Sequence, residues 1–293
     1  MQQDEYATDH VVGHDNIQPL GLLDVHNPVF PISSAAIVLF VVFTLSFPES
    51  AAQTFGELRP WLTTTFDWVF MSSVNFFVIF LIFLSCTKAG AIRIGGNDCK
   101  PEYSFPSWIS MLFAAGIGIG IMFYGVLEPM NHLLLPPING SELDIEEQRN
   151  LAMASTIYHW ALHPWAIYTV LGLSLAFFTY NKGLPLIIRS ALYPLFGERI
   201  WGWSGHIVDL LAVIATLFGL ATSLGYGAEQ IAGGLRYVFS IAGDNQTKIM
   251  IVGVITVMAM ISLLRGLDGG IKRLSEINMI AAAILGAYVL FMG

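Results

Sequence analysis

From about residue 29 onward, long apolar blocks alternate with short polar connectors. A helix needs about 20 mostly apolar residues to cross the hydrocarbon layer of a bilayer, and seven blocks approach that size. They lie near Val29 to Phe47, Thr65 to Ser85, Phe105 to Leu127, Leu151 to Tyr180, Ile207 to Ala232, Ile249 to Leu264 and Ile277 to Met292. The pattern predicts an all-α, polytopic membrane protein, with one membrane domain of about seven helices over residues 29–293. Residues 1–28 are polar and acidic. They lack the basic start, apolar run and small-residue cleavage site of a signal peptide, so they are predicted to be a retained, flexible tail.

Composition sharpens this picture. The chain is 55% hydrophobic and 12% charged, with a mean hydropathy of +0.66. A soluble domain carries about 25% charged residues, so this one has too few to cover its surface in water. The net charge of −8 argues against nucleic acid as a partner. Cys86 and Cys99 stand in no CxxC or zinc-like spacing and read as thiols without a disulfide framework.

Cationic side chains are retained on the cytoplasmic side, which orients the spans. The connectors after the second, fourth and sixth blocks carry Lys88, Arg93, Lys100, Lys182, Arg189, Arg199, Arg265, Lys272 and Arg273. The alternate connectors carry Arg59, Arg149, Arg236 and Lys248. The even-numbered connectors and the N-terminal tail are therefore predicted to be cytoplasmic. The third connector, with Glu128, Glu142, Asp144, Glu146 and Glu147, faces outside and reads as a solvated loop, or alternatively as an electrostatic attractor for cations.

Two stretches carry candidate chemistry. In the third block, Gly116, Gly118 and Gly120 occupy alternate positions in mid-membrane. Each glycine costs about 1 kcal/mol of helix stability relative to Ala, so three within five residues favour a local break. Such a break is tolerated in lipid only where protein or an aqueous cavity receives the freed backbone groups, and in carriers it forms substrate and ion sites. Close helix packing through small residues is the alternative.

The fourth block contains Tyr158-His159-Trp160-Ala-Leu-His163-Pro164-Trp165-Ala-Ile-Tyr168. On an ideal helix Trp165 and Tyr168 stand about 140° and about 80° from Trp160. Pro164 can bend the helix and bring such rings to a common cavity. Aromatic faces attract cations and form the preferred cage for a quaternary ammonium, although an interfacial aromatic belt would use the same residues. His159 and His163 have the i, i+4 spacing of metal ligands without an HExxH motif or an acidic neighbour in sequence, so packing or hydrogen bonding is the better reading. Asp67, Asp209 and Glu229 sit near block ends, where structural or interfacial roles suffice. Thr216, Thr222 and Ser223 offer hydroxyls that could hold sodium or bond their own i−4 carbonyls. No nucleophile–base pair or metal set stands among the spans, and an enzyme is not expected.

The stretches AAGIGIGIMFYGVLEP (114–129), YHWALHPWAIY (158–168), KGLPLIIRSALYPLFG (182–197) and DLLAVIATLFGLATSLGYGAEQIAGGL (209–235) together resemble the betaine/choline/carnitine transporter family. The resemblance extends from about Val29 to the C-terminus. It implies a leucine-transporter-like inverted-repeat fold, truncated here after the first repeat, with two leading helices before that repeat. It further implies an aromatic box of Trp160, Trp165 and Tyr168 around the substrate's ammonium group, with Gly116, Gly118 and Gly120 facing its carboxylate. The backbone carbonyls of Ala114 and Ile117 would help bind one sodium ion. Thr216 matches the first of two hydroxyls of a second sodium site, whose other position is Leu220. Choline carriers of the family place Asp at the position of Gly120, so the neutral residue here points to a zwitterion such as glycine betaine or a sulfonium relative. The activity implied is sodium-coupled symport of a compatible solute across the cell inner membrane, in a homotrimer, with sodium as coupling ion and no further cofactor. Two alternatives are a sodium-independent exchanger of carnitine-like compounds and an inactive half.

Overall fold

In lipid, a backbone satisfies its N–H and C=O groups only inside helices or closed barrels, and the apolar blocks of this chain become helices. The computed structural model describes residues 8, 10–11, 14–15, 17–20, 23–26, 28–116, 120, 123–138 and 143–292, and these are nearly all helical. The tail, expected to be flexible, holds a short antiparallel hairpin of β1 (Ile17–Leu20) and β2 (Leu23–His26), with Ile17 opposite His26. Helices α1 (Val29–Ser46), α2 (Pro48–Thr65) and α3 (Asp67–Cys86) follow. Of these, α2 is absent from the sequence reading because it is too polar to count as a span. Its start was nonetheless marked by Pro48 at the first helical position and Glu49 in the first turn, where a missing N–H and a negative charge are both favourable.

The third predicted span is not one uniform α-helix: α4 (Phe105–Gly116) and α5 (Gly125–Leu134) are described on either side of the glycine run, and Gly120, Phe123 and Tyr124 between them lie in wide π-type turns. Residues 117–119 and 121–122 lie outside the described residues. The fourth span also divides, into α6 (Ile145–Trp160) and α7 (Leu162–Ala176), at Ala161, whose ψ of −115° is not helical. Pro164 explains the position of the break: it has no N–H for the Trp160 carbonyl, and its ring crowds that same carbonyl. A short α8 (Tyr193–Phe196) sits between two 3-10 turns, and α9 (Trp203–Phe239), α10 (Asn245–Leu264) and α11 (Lys272–Met292) complete the chain. Six helical stretches among the described residues are long and apolar enough to cross a membrane, and Phe105–Ala114 is a shorter apolar helix. Within the helices, Ser33, Thr44, Ser85, Ser174 and Thr256 return their hydroxyl protons to the carbonyl four residues earlier, so no polar group faces the apolar surroundings unpaired at these positions.

The chain forms two compact units. The first comprises Met1–Cys99 and Ala161–Phe218. In it α3 packs on α7, and the connector before α9 builds a small core from Leu184, Tyr193 and Ile200. Arg189 is buried beside that core, its Nε donating to Asp209 Oδ2 at 2.7 Å, with His206 Nδ1 3.0 Å from its Nη2. The tail reaches the same connector: His10 stacks on Trp201 at 4.3 Å between ring centres, and the Trp201 indole N–H donates to Thr8 at 3.0 Å. The second unit comprises Lys100–Trp160 and Gly219–Gly293. There α4 packs on α11, where Ser107 donates to Glu276 at 2.6 Å and Lys272 lies 5.6 Å from the centre of the Tyr103 ring. Beyond the glycine run, α5 packs instead on α6.

Candidate functional site

The α5–α6 contact in the second unit holds the densest chemistry. Glu128, in the first turn of α5, is only 6% exposed. A carboxylate in such a setting is costly unless its oxygens are hydrogen-bonded. Both oxygens are used: the Trp160 indole N–H donates to Oε2, while Oε1 lies 2.5 Å from His159 Nδ1 and 3.4 Å from His132 Nε2. The position near a helix N-terminus further favours the negative charge. Glu128 is therefore not part of a solvated loop, as its acidic run in the sequence implied. Nor is His159 without an acidic partner: that partner comes from another helix, 31 residues away.

The ring of Trp160 lies against Gly120. A Cβ built on Gly120 would stand 2.9 Å from Trp160 Cζ3, closer than real Cβ contacts come, so the indole occupies the space that a side chain would need. Further rings gather there. Tyr124 is 5.6 Å from Trp160 between ring centres and 6.3 Å from Tyr226 of α9, and Phe123 stacks on Tyr226 at 5.2 Å. Sequence reasoning named neither Tyr124 nor Tyr226. Tyr124 follows the glycine run directly and could have been found there, whereas Tyr226 is joined to it only by the fold.

The remaining predicted residues are placed as follows. Gly116 ends α4 and Ala114 lies in its last turn; Ile117 and Gly118 lie outside the described residues. In the first unit, Trp165 and Tyr168 on α7 have their ring centres 6.2 Å apart, and both are exposed. His163 Nε2 lies 3.2 Å from Asn75 Oδ1 on α3, in keeping with hydrogen bonding within the bundle. Thr216 on α9 donates its hydroxyl to the Ala212 carbonyl at 2.8 Å, and Leu220, one turn on, is exposed. Among the described residues no group of three or more His, Cys, Asp or Glu side chains is arranged to hold a metal ion. Asp209 is an internal partner of Arg189, and Glu229 makes a surface ion pair with Lys248 at 2.8 Å.

The sequence model described as betaine/carnitine/choline family transporter matches residues 28–293. The chain belongs to this family. Among its betaine/carnitine/choline relatives is a glycine betaine/proline/choline transporter of Vibrio parahaemolyticus, 51% identical over 98% of this chain and 55% of the relative. A glycine betaine transporter of the same organism is 51% identical over 95% of the chain and 54% of the relative. The high-affinity choline transport protein of Escherichia coli K12 is 41% identical over 91% of the chain and 39% of the relative. The chain thus spans about half the length of the curated relatives it matches. Family and relatives are transporters, not enzymes, and with six long apolar helices among its described residues the chain is a multi-pass membrane protein.

Proposed function

We propose that this chain provides the glycine-rich and aromatic half of a secondary active transporter for a quaternary ammonium or sulfonium compatible solute of the glycine betaine type. The supporting observation is the Trp160 ring seated on the backbone of Gly120, at the point where the third span loses its regular helix. That arrangement offers a π face for a cation next to a glycine backbone in π-type rather than α-helical turns, which suits the two ends of a zwitterion. On the family resemblance alone, Trp165 and Tyr168 are proposed as further residues of the box, and Gly116 and Gly118 as further residues for the carboxylate. The relative named for glycine betaine alone supports this choice of cargo, and the one named for glycine betaine, proline and choline is compatible with it.

Sodium drives the cycle in this reading, with the carbonyls of Ala114 and Ile117 proposed for one ion and the hydroxyl of Thr216 for a second. The protein sits in the cell inner membrane as a homotrimer with its N-terminus cytoplasmic. A sodium-independent exchanger is the second reading, and Leu220 favours it, because an alkyl side chain stands where a second hydroxyl would hold the ion. Uptake of radiolabelled glycine betaine into proteoliposomes separates the two. Symport requires accumulation that collapses without an inward sodium gradient. Uptake that depends only on internal trimethylammonium substrate identifies exchange, and no uptake of either kind rejects both.

A further inference from the structure

We infer that Glu128 is a positioning residue of the substrate site, whose carboxylate holds the Trp160 ring on Gly120 by accepting the indole N–H. This rests on the reading that Trp160 faces the cationic end of the cargo. An indole N–H can only donate, and a carboxylate can only accept, so the pair fixes which edge of the ring turns away from Gly120. The carboxylate is in turn held on its other oxygen by His159, and by His132 one turn further along its own helix. Gly120 supplies the opposing wall, since it has no Cβ to displace the ring. The ring is thus gripped on its N–H edge by a buried acid and on its benzo edge by bare backbone.

Glu128 is 6% exposed, and its two oxygens are taken up by Trp160, His159 and His132. Its partners on α6 are a tryptophan and a histidine, not a lysine or arginine, so it is not one half of an ion pair with a fixed cation. A buried acid kept in place by an aromatic donor serves the aromatic group. The order of events in binding follows: the face for the cation is set before the cargo arrives, which spares the cost of immobilising an indole at the moment of binding.

The test measures glycine betaine affinity in the full-length protein reconstituted in lipid nanodiscs, with the variants E128A, E128Q and W160F. E128A leaves the indole N–H without an acceptor and is expected to weaken binding about tenfold. E128Q keeps an acceptor oxygen and should stay within about threefold of the unsubstituted protein. In the W160F background, where no N–H remains to be held, adding E128A should change affinity by less than about twofold. Equal losses in E128A and E128Q would overturn the inference, as would an E128A effect that persists undiminished in W160F. Should E128A fail to fold, E128Q alone and in combination with W160F carries the comparison: a large loss in E128Q overturns the assignment. If the unsubstituted protein does not bind glycine betaine, the functional reading falls and this inference with it, an outcome distinct from intact binding that E128A leaves unchanged.

Discussion

A single buried guanidinium illustrates how much one residue can decide. Arg189 is 1% exposed and reaches both a carboxylate and an imidazole, so its desolvation is offset only while Asp209 stays in place. Removing one partner of such a pair leaves an uncompensated charge and typically costs about 3–5 kcal/mol. Asp209→Ala should therefore lower the thermal midpoint of the detergent-solubilised protein sharply, as followed by circular dichroism. The exposed Glu229→Ala, which breaks only a surface pair with Lys248, should leave it nearly unchanged. An equal response of the two variants would mean that the pairs do not differ in the way their burial implies. The sequence showed both acids at block ends but not which was buried, because burial depends on what folds over each of them.

At the scale of elements, the interrupted third span and the capped start of α10 make separate predictions. Gly125 opens α5, and a Cβ built on it meets nothing within 4 Å. Gly125→Ala should therefore fit without a clash while favouring helix by about 1 kcal/mol at the edge of the break. The expected result in uptake assays is a lower maximal rate with KM little changed. A raised KM with an unaltered rate would contradict the view that the break matters for movement. At α10, the Asp244 side chain caps the helix by accepting from the Thr247 N–H at 2.9 Å. That hydrogen bond from the Thr247 backbone is the main reason the Asp244 carboxyl lies below its ordinary range. A depressed folded value means that the contribution is complete above the unfolded value of about 3.9 and is lost as pH falls through the folded one. Asp244→Ala should accordingly lower the thermal midpoint at pH 7, and the gap to the unsubstituted protein should close in strongly acidic buffer. A gap that is independent of pH would rule out the charge as the source.

For the whole molecule, the spans were legible because lipid imposes a length and a composition on each of them, and the glycine run marked the span that passes from α-helix into π-type turns. Pro164 signalled a bend, and the structure has a non-helical residue, Ala161, three positions before it. Partners across the fold were not legible: Glu128 looked like one more acid of a polar connector, and only the packing of α5 on α6 joins it to residues 159 and 160. The polar helix α2 was missed for the opposite reason, since nothing apolar marked it. The buried Arg189 carries one more consequence, for biogenesis. Charges near span ends are sorted while the nascent chain is threaded into the bilayer, before any tertiary contact exists. The same guanidinium can therefore weigh on insertion as the polypeptide emerges and afterwards be buried against Asp209, so that replacing it would disturb insertion and folding at two different moments.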